Sequence, residues 1–246
     1  MKKHSWEIFI SLLLLIISFG LYYLHFHIFN DVHHLFIYGL GELAFLPLEV
    51  LIVTLMLHRI LEWHEKRSMR SKVNMLIGSF FSEVGNEFLR ILSGSDDNLT
   101  EIREKLKVKG SWNEKQFAAA SAIAKAHKPN LSINSQQLDR MKILLSEKRS
   151  IISELMQNPL LLEHRVFTDL LLATFHFLEE LSYRDRFDNL GVNDSKHLAG
   201  DAERAYKYLI CQWLDYTKHL KEHYNFLFSL AIRLNPLQQK IDVEVK

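Results

Sequence analysis

Histidines and carboxylates at helical spacing are the residues best placed to do chemistry. His219-Leu-Lys-Glu222-His223 matches the H-x-x-E-H pattern of one zinc-peptidase group. Two imidazoles four residues apart share a helix face and can hold zinc, with the glutamate as general base. A third ligand belongs well downstream, yet the short remaining tail offers only Asp242 and Glu244. The chain has 13 histidines, so a chance match is the better explanation. His219, Glu222 and His223 therefore stay weak metal candidates, and no cofactor is expected. Asp169, His176 and Glu180 form a second row, at i, i+7 and i+11. Such a row can supply metal ligands inside a helical bundle. Here it lies opposite Phe167, Leu170, Leu171, Phe177 and Leu181, so a solvated polar face is the expectation. Cys211 sits in Tyr208-Leu-Ile-Cys-Gln-Trp213, a setting for a buried, inert thiol.

Glu42 and Glu49 are unusual for a different reason: both lie inside a long apolar run. Seven residues apart, they share one helix face about 10 Å apart. Ionisable groups in a membrane span are costly and are functional candidates by default. One reading is a proton- or cation-handling face completed by several copies of the chain. The blander and favoured one is interhelical hydrogen bonding, helped by the close approach that Gly39 and Gly41 permit. Tyr22 and Tyr23 fall level with Glu42. His25, His27, His33 and His34 gather at one end of the same region, without a ligand spacing.

The elements that carry these residues divide sharply. Ile8–Phe29 contains no Asp, Glu, Lys or Arg, and as a helix would match a ~30 Å hydrocarbon core. The apolar run is too long for a signal peptide, and no small-x-small cleavage site follows. Leu35–Leu57 is long enough to cross again. The tight link Asn30–His34 forces the two spans to be antiparallel neighbours. Lys2 and Lys3 precede the first span, the turn has no Lys or Arg, and Arg59, Lys66, Arg67, Arg70 and Lys72 follow the second. The positive-inside rule then puts both termini in the cytoplasm. Trp6, Trp63, Tyr22, Tyr23 and Tyr38 fall at the expected interfaces. Lys66, Arg67, Arg70 and Lys72 would lie at the lipid headgroups.

Beyond the second span no Gly or Pro interrupts Leu48–Ile77, so the helix is expected to continue. Val73, Ile77, Phe80, Val84, Phe88 and Ile91 recur at three- and four-residue steps as an apolar face. Gly94-Ser95-Asp96-Asp97 ends it. The strings Phe45-Leu-Pro-Leu-Glu-Val50 and Ile77-Gly-Ser-Phe-Phe-Ser-Glu-Val-Gly85 resemble an uncharacterised family of small prokaryotic membrane proteins. The resemblance covers roughly residues 40 to 95. It implies the same hairpin-plus-cytosolic-domain layout, places Glu49 and Glu83 in the shared strings, and carries no activity.

The rest of the chain reads as helices. A short one is expected over 98–107, and one opened by a Ser111-Trp-Asn-Glu114 capping box runs to about His127. Others span Gln136–Gln157, Leu160–Tyr183 and Asp194–Leu220, and a last one runs through Leu234. The fold class is therefore all-α: a transmembrane hairpin (1–59), a juxtamembrane helix (60–95) and a cytoplasmic antiparallel helical bundle (96–246). A net charge of +1 gives no electrostatic case for nucleic acid. One cysteine permits no intramolecular disulfide. Phosphate loops, G-x-S-x-G elbows and dinucleotide fingerprints are missing. The favoured function is a non-enzymatic, membrane-anchored interaction or regulatory module in the cell membrane. Its partners would be the lipid bilayer, a protein bound through the cytoplasmic helices, or a second copy. The alternatives are a subunit of an oligomeric ion or proton channel, and a membrane-tethered helical metalloenzyme.

Overall fold

The computed structural model describes residues 2–162 and 164–238. The protein is all-α; among the described residues there is no strand, only an isolated bridge between Asp96 and Leu131. It divides into two compact units, Met1–Lys66 and Arg67–Lys246.

In the first unit, α1 (Lys2–Phe29) is followed by α2, which begins at Val32 and runs to Phe80. Asn30 makes the turn in the left-handed region, at φ 50°, a conformation asparagine tolerates better than most residues. Asp31 then caps α2, accepting hydrogen bonds from the amides of His33 (2.9 Å) and His34 (3.2 Å). Two stretches, Ile8–Phe29 (22 residues) and Val32–Glu65 (34 residues), are long and apolar enough to cross a membrane, and neither is buried inside the protein.

The second unit holds the core. Val73, Ile77 and Phe80 of α2 are buried in it. At Phe81–Gly85 the chain makes a π turn before resuming as α3 (Asn86–Gly94). The helix expected to continue through Leu48–Ile77 does so, and the π turn falls just beyond it, within the amphipathic stretch Val73–Ile91. The extra residue lets Phe80 and Phe81 both be buried, edge to face with centroids 5.5 Å apart. Phe80 also packs on Phe167 (5.4 Å), Phe81 stacks on Tyr216 (5.3 Å) and Phe88 on Phe177 (6.1 Å). Glycine at position 85 leaves room for the two rings, because a Cβ would sit 2.7 Å from Phe81 and 2.8 Å from Phe80 ring carbons.

The chain continues through α4 (Leu99–Ile102), α5 (Glu114–Ala126), α6 (Ser135–Glu147), α7 (Arg149–Met156), α8 (Pro159–Leu162), α9 (Arg165–Ser182), α10 (Val192–His223) and α11 (Asn225–Arg233). The N-cap of α5 is Asn113, paired with Gln116 in a capping box, not the expected Ser111 and Glu114. Asn134 and Gln137 form the same box at α6. The helix expected over Gln136–Gln157 is two, α6 and α7, parted at Lys148; that over Leu160–Tyr183 is also two, parted near His164. The 32-residue α10 carries Trp213, Tyr206 and Leu209 into the centre, with α9, α5, α11 and α3 packed on it.

A polar latch fixes the loop after α3. The buried Asp96 accepts from His127 Nε2 (2.6 Å), Asn98 N (3.1 Å) and Asn130 N (3.1 Å). Beside it the Ser132 amide donates to Ser95 O (2.8 Å) and the Asp97 amide to Asn130 O (3.1 Å). The Tyr206 hydroxyl faces this loop, and burial together with Asp96 pushes its pKa well above the ordinary phenol value.

Candidate functional site: a histidine–carboxylate cluster between two helices

The turn Tyr183–Gly191 returns α10 along α9, so residue numbers on the two facing surfaces run in opposite directions. His176 and Glu180 on α9, one turn apart, thereby meet Asp201 and His197 on α10, also one turn apart. His176 Nε2 lies 3.5 Å from Asp201 Oδ2, and His197 Nε2 lies 3.3 Å from the same oxygen. His197 Nε2 is 3.6 Å from Glu180 Oε2. Among the described residues, His176, Glu180 and Asp201 bring donor atoms within 4.8 Å of one another.

Burial is graded across the cluster. The Asp201 side chain is 4% exposed, Glu180 27%, and the two imidazoles about half. Asp201 Oδ1 accepts from Arg204 Nη1 (2.9 Å). Its Oδ2 is buried and accepts no hydrogen bond, even though two imidazoles face it. Such an atom carries a desolvation penalty that native structures ordinarily avoid.

Arg184 organises the other carboxylate. Its Nη1 donates to Glu180 Oε2 (2.9 Å) and to the Glu180 carbonyl, while Nη2 and Nε bind Asp194 (2.6 and 3.1 Å). This guanidinium holds the Glu180 carboxyl below the usual range, and Asp194 likewise, so both are anionic at neutral pH. The arrangement brings one imidazole nitrogen and two carboxylate oxygens together, with the His197 imidazole beside both carboxylates.

Sequence reasoning named His176 and Glu180 but grouped them with Asp169, which takes no part in the cluster, and assigned the row to solvent. It did not name His197 and Asp201. The available signal was the repeated one-turn spacing, His-x-x-x-Glu and His-x-x-x-Asp, on either side of a short turn.

The other expected site residues lie elsewhere. His219 and His223 stack with centroids 4.5 Å apart, but His223 Nδ1 turns to the His219 carbonyl (3.2 Å) and Glu222 reaches Lys218 (3.8 Å). His219 Nδ1 accepts from the Asn74 amide (3.2 Å) beside a cleft of about 320 Å³ lined by Gly78, Tyr216 and Leu227. Burial, and then His223, pull its pKa below the ordinary histidine value. Burial pushes the Cys211 thiol up, which suits an inert residue. In the first unit, Tyr22 donates to Glu42 (2.9 Å) across the two helices. Glu42 borders a cleft of about 430 Å³ with Ser18, Tyr22, His25, His34 and Tyr38. His25 and His34 stack with centroids 6.4 Å apart, whereas His27 stacks on Tyr23. Glu49 is exposed, as is Lys72. The side chains of Lys66, Arg67 and Arg70, and all of Asp242 and Glu244, lie outside the described residues. Glu83 of the shared string pairs with Lys148 (2.8 Å).

Residues 69–233 match the C-terminal helical domain of uncharacterized protein MJ1433, and residues 2–61 match its N-terminal helical domain. The gap between the two matches contains the division between the structural units. The uncharacterized protein MJ1433 of Methanocaldococcus jannaschii is 40% identical over 240 residues, covering 98% of this chain and 96% of the relative. No solved structure matches. With both domains found in order and nearly the whole length aligned, the chain belongs to the family of uncharacterized protein MJ1433.

Proposed function

We propose that this protein is a membrane-anchored helical module, with α1 and the first part of α2 crossing the bilayer and the helical domain acting in the cytoplasm. One observation carries the reading. Two apolar helical stretches of 22 and 34 residues have no part of their apolar windows buried within the protein. Phe19 and Phe36 are each 74% exposed, and Leu40 71%. Soluble monomers rarely leave a contiguous apolar patch larger than roughly 300–600 Å² uncovered. Lipid is the solvent that such helices fit. The asymmetry of Lys and Arg about the turn supports cytoplasmic termini in the cell membrane.

Within that anchor, the Tyr22–Glu42 hydrogen bond favours interhelical adhesion as the role of Glu42. The helical domain then works by binding a protein partner or a second copy at the membrane face. The test is a Cys211→Ser chain with Asp31→Cys in the turn and a tag after Lys246. Intact cells treated with an impermeant thiol reagent should be labelled at position 31 while the tag stays protected. A tag digested from outside, or full-length chain in the soluble fraction without detergent, would overturn the reading.

A further inference from the structure

We propose that His176, Glu180, His197 and Asp201 form a binding site for one divalent first-row transition-metal ion of the zinc class. The site lies wholly within the helical domain and does not depend on the membrane anchor.

The donor set comes first. Imidazole nitrogens with carboxylate oxygens are the ligands of borderline divalent ions such as zinc, and suit calcium or magnesium poorly. Geometry is more specific. Zinc bonds of about 2.0–2.1 Å set the donors of a tetrahedron about 3.3–3.4 Å apart. The separations here are 3.3 Å (His197–Asp201), 3.5 Å (His176–Asp201) and 3.6 Å (His197–Glu180). The facing atoms of His176, Glu180 and Asp201 also fall within a single 4.8 Å group.

The second, independent observation is Asp201 Oδ2. It is buried on a nearly inaccessible side chain, faces both imidazoles, and accepts a hydrogen bond from neither. A charge-neutralising ligand at the meeting point of these groups would satisfy it. The surrounding contacts are those of a metal site's outer layer. Arg204 fixes Asp201 through Oδ1 and leaves Oδ2 free to ligate. Arg184, itself held by Asp194, orients Glu180. A carboxylate oxygen has capacity for a guanidinium and a cation together. The half-exposed imidazoles give an ion a route in from solvent. His176, Glu180 and Asp201 form the mutually close set and His197 flanks both carboxylates, so an ion held there would cross-link α9 to α10.

The test uses the full-length protein in detergent, stripped with a chelator and titrated with Co²⁺ and then Zn²⁺. One equivalent of Co²⁺ should bind with visible d–d absorption, and Zn²⁺ should displace it. Asp201→Asn should weaken binding by about 100-fold or more, and Arg204→Gln by about 10-fold, the range seen when ligand-orienting partners are lost. His176→Gln and His197→Gln change half-exposed side chains and leave the core intact; each should also weaken binding by at least about 100-fold. His219→Gln, at the other histidine pair, should bind like the wild type. Binding unchanged in both His176→Gln and His197→Gln would place the ion elsewhere and overturn the proposal. So would the absence of saturable binding, which would leave the cluster as a network of histidines and carboxylates.

Discussion

Replacing Asp96 with alanine tests whether a polar latch, and not apolar packing alone, closes the helical domain. The side chain is fully buried, its partner His127 is 5% exposed, and it accepts three hydrogen bonds. Truncation orphans the Asn98 and Asn130 amides and leaves a buried imidazole without its partner. Orphaned buried donors cost about 1–3 kcal/mol each, and the three here overlap. A total loss of about 3–5 kcal/mol is expected. At roughly 2–4 °C per kcal/mol for a domain of this size, the melting temperature should fall by about 6–20 °C. Asp96→Asn keeps an oxygen for the two amides and loses only the charge-assisted contact, so it should cost about 1–2 kcal/mol. The assay is thermal unfolding of the full chain in detergent, followed by near-UV circular dichroism of the buried Trp112 and Trp213. An alanine variant melting within about 2 °C of wild type, or an asparagine variant as damaged as the alanine one, would refute the reasoning.

Gly85→Ala should destabilise by about 1–3 kcal/mol, since its methyl group meets the Phe80 and Phe81 rings and these are locked in the core; an unchanged melting temperature would show that the rings can give way. His219 sets a pH dependence. Its folded pKa lies below 6.5, so the folded state binds fewer protons than the unfolded state just below that pH. Stability should therefore decline as pH falls through 6.5 toward the lowered value, and His219→Gln should flatten that part of the melting-temperature profile. A profile identical to wild type between pH 7.5 and 5.5, on the order of the ordinary histidine range, would remove His219 as a cause.

Much of the fold could be read in the residues because local signals and final packing agree. Uncharged apolar runs mark α1 and the start of α2, Asn30-Asp31 marks the turn, and the Val73–Phe88 stripe marks the core face. The break at Lys148 was not legible, because neither Gly nor Pro announces it. It is set by distant partners: Lys148 reaches Glu83, and Arg149 lies over the Phe175 ring at 5.1 Å and pairs with Glu179. The histidine–carboxylate cluster was half legible for a related reason. One helix's wheel shows His176 and Glu180 as outward and polar, and only the antiparallel return of α10 sets Asp201 against them. A single-helix projection cannot report what a second helix contributes.

The π turn has a consequence for how this chain can vary. A π turn takes about one residue more than an α turn, so the additional residue is absorbed locally and the helix beyond keeps its face. Phe88, Leu89 and Leu92 therefore share one interior with Val73 and Ile77 on either side of Phe81–Gly85. Removing one residue there would let the segment relax into regular geometry with those three side chains still facing their neighbours. A further inserted residue has no such outlet and would turn them by about 100°, so single deletions between Phe81 and Gly85 should be accepted more readily than insertions.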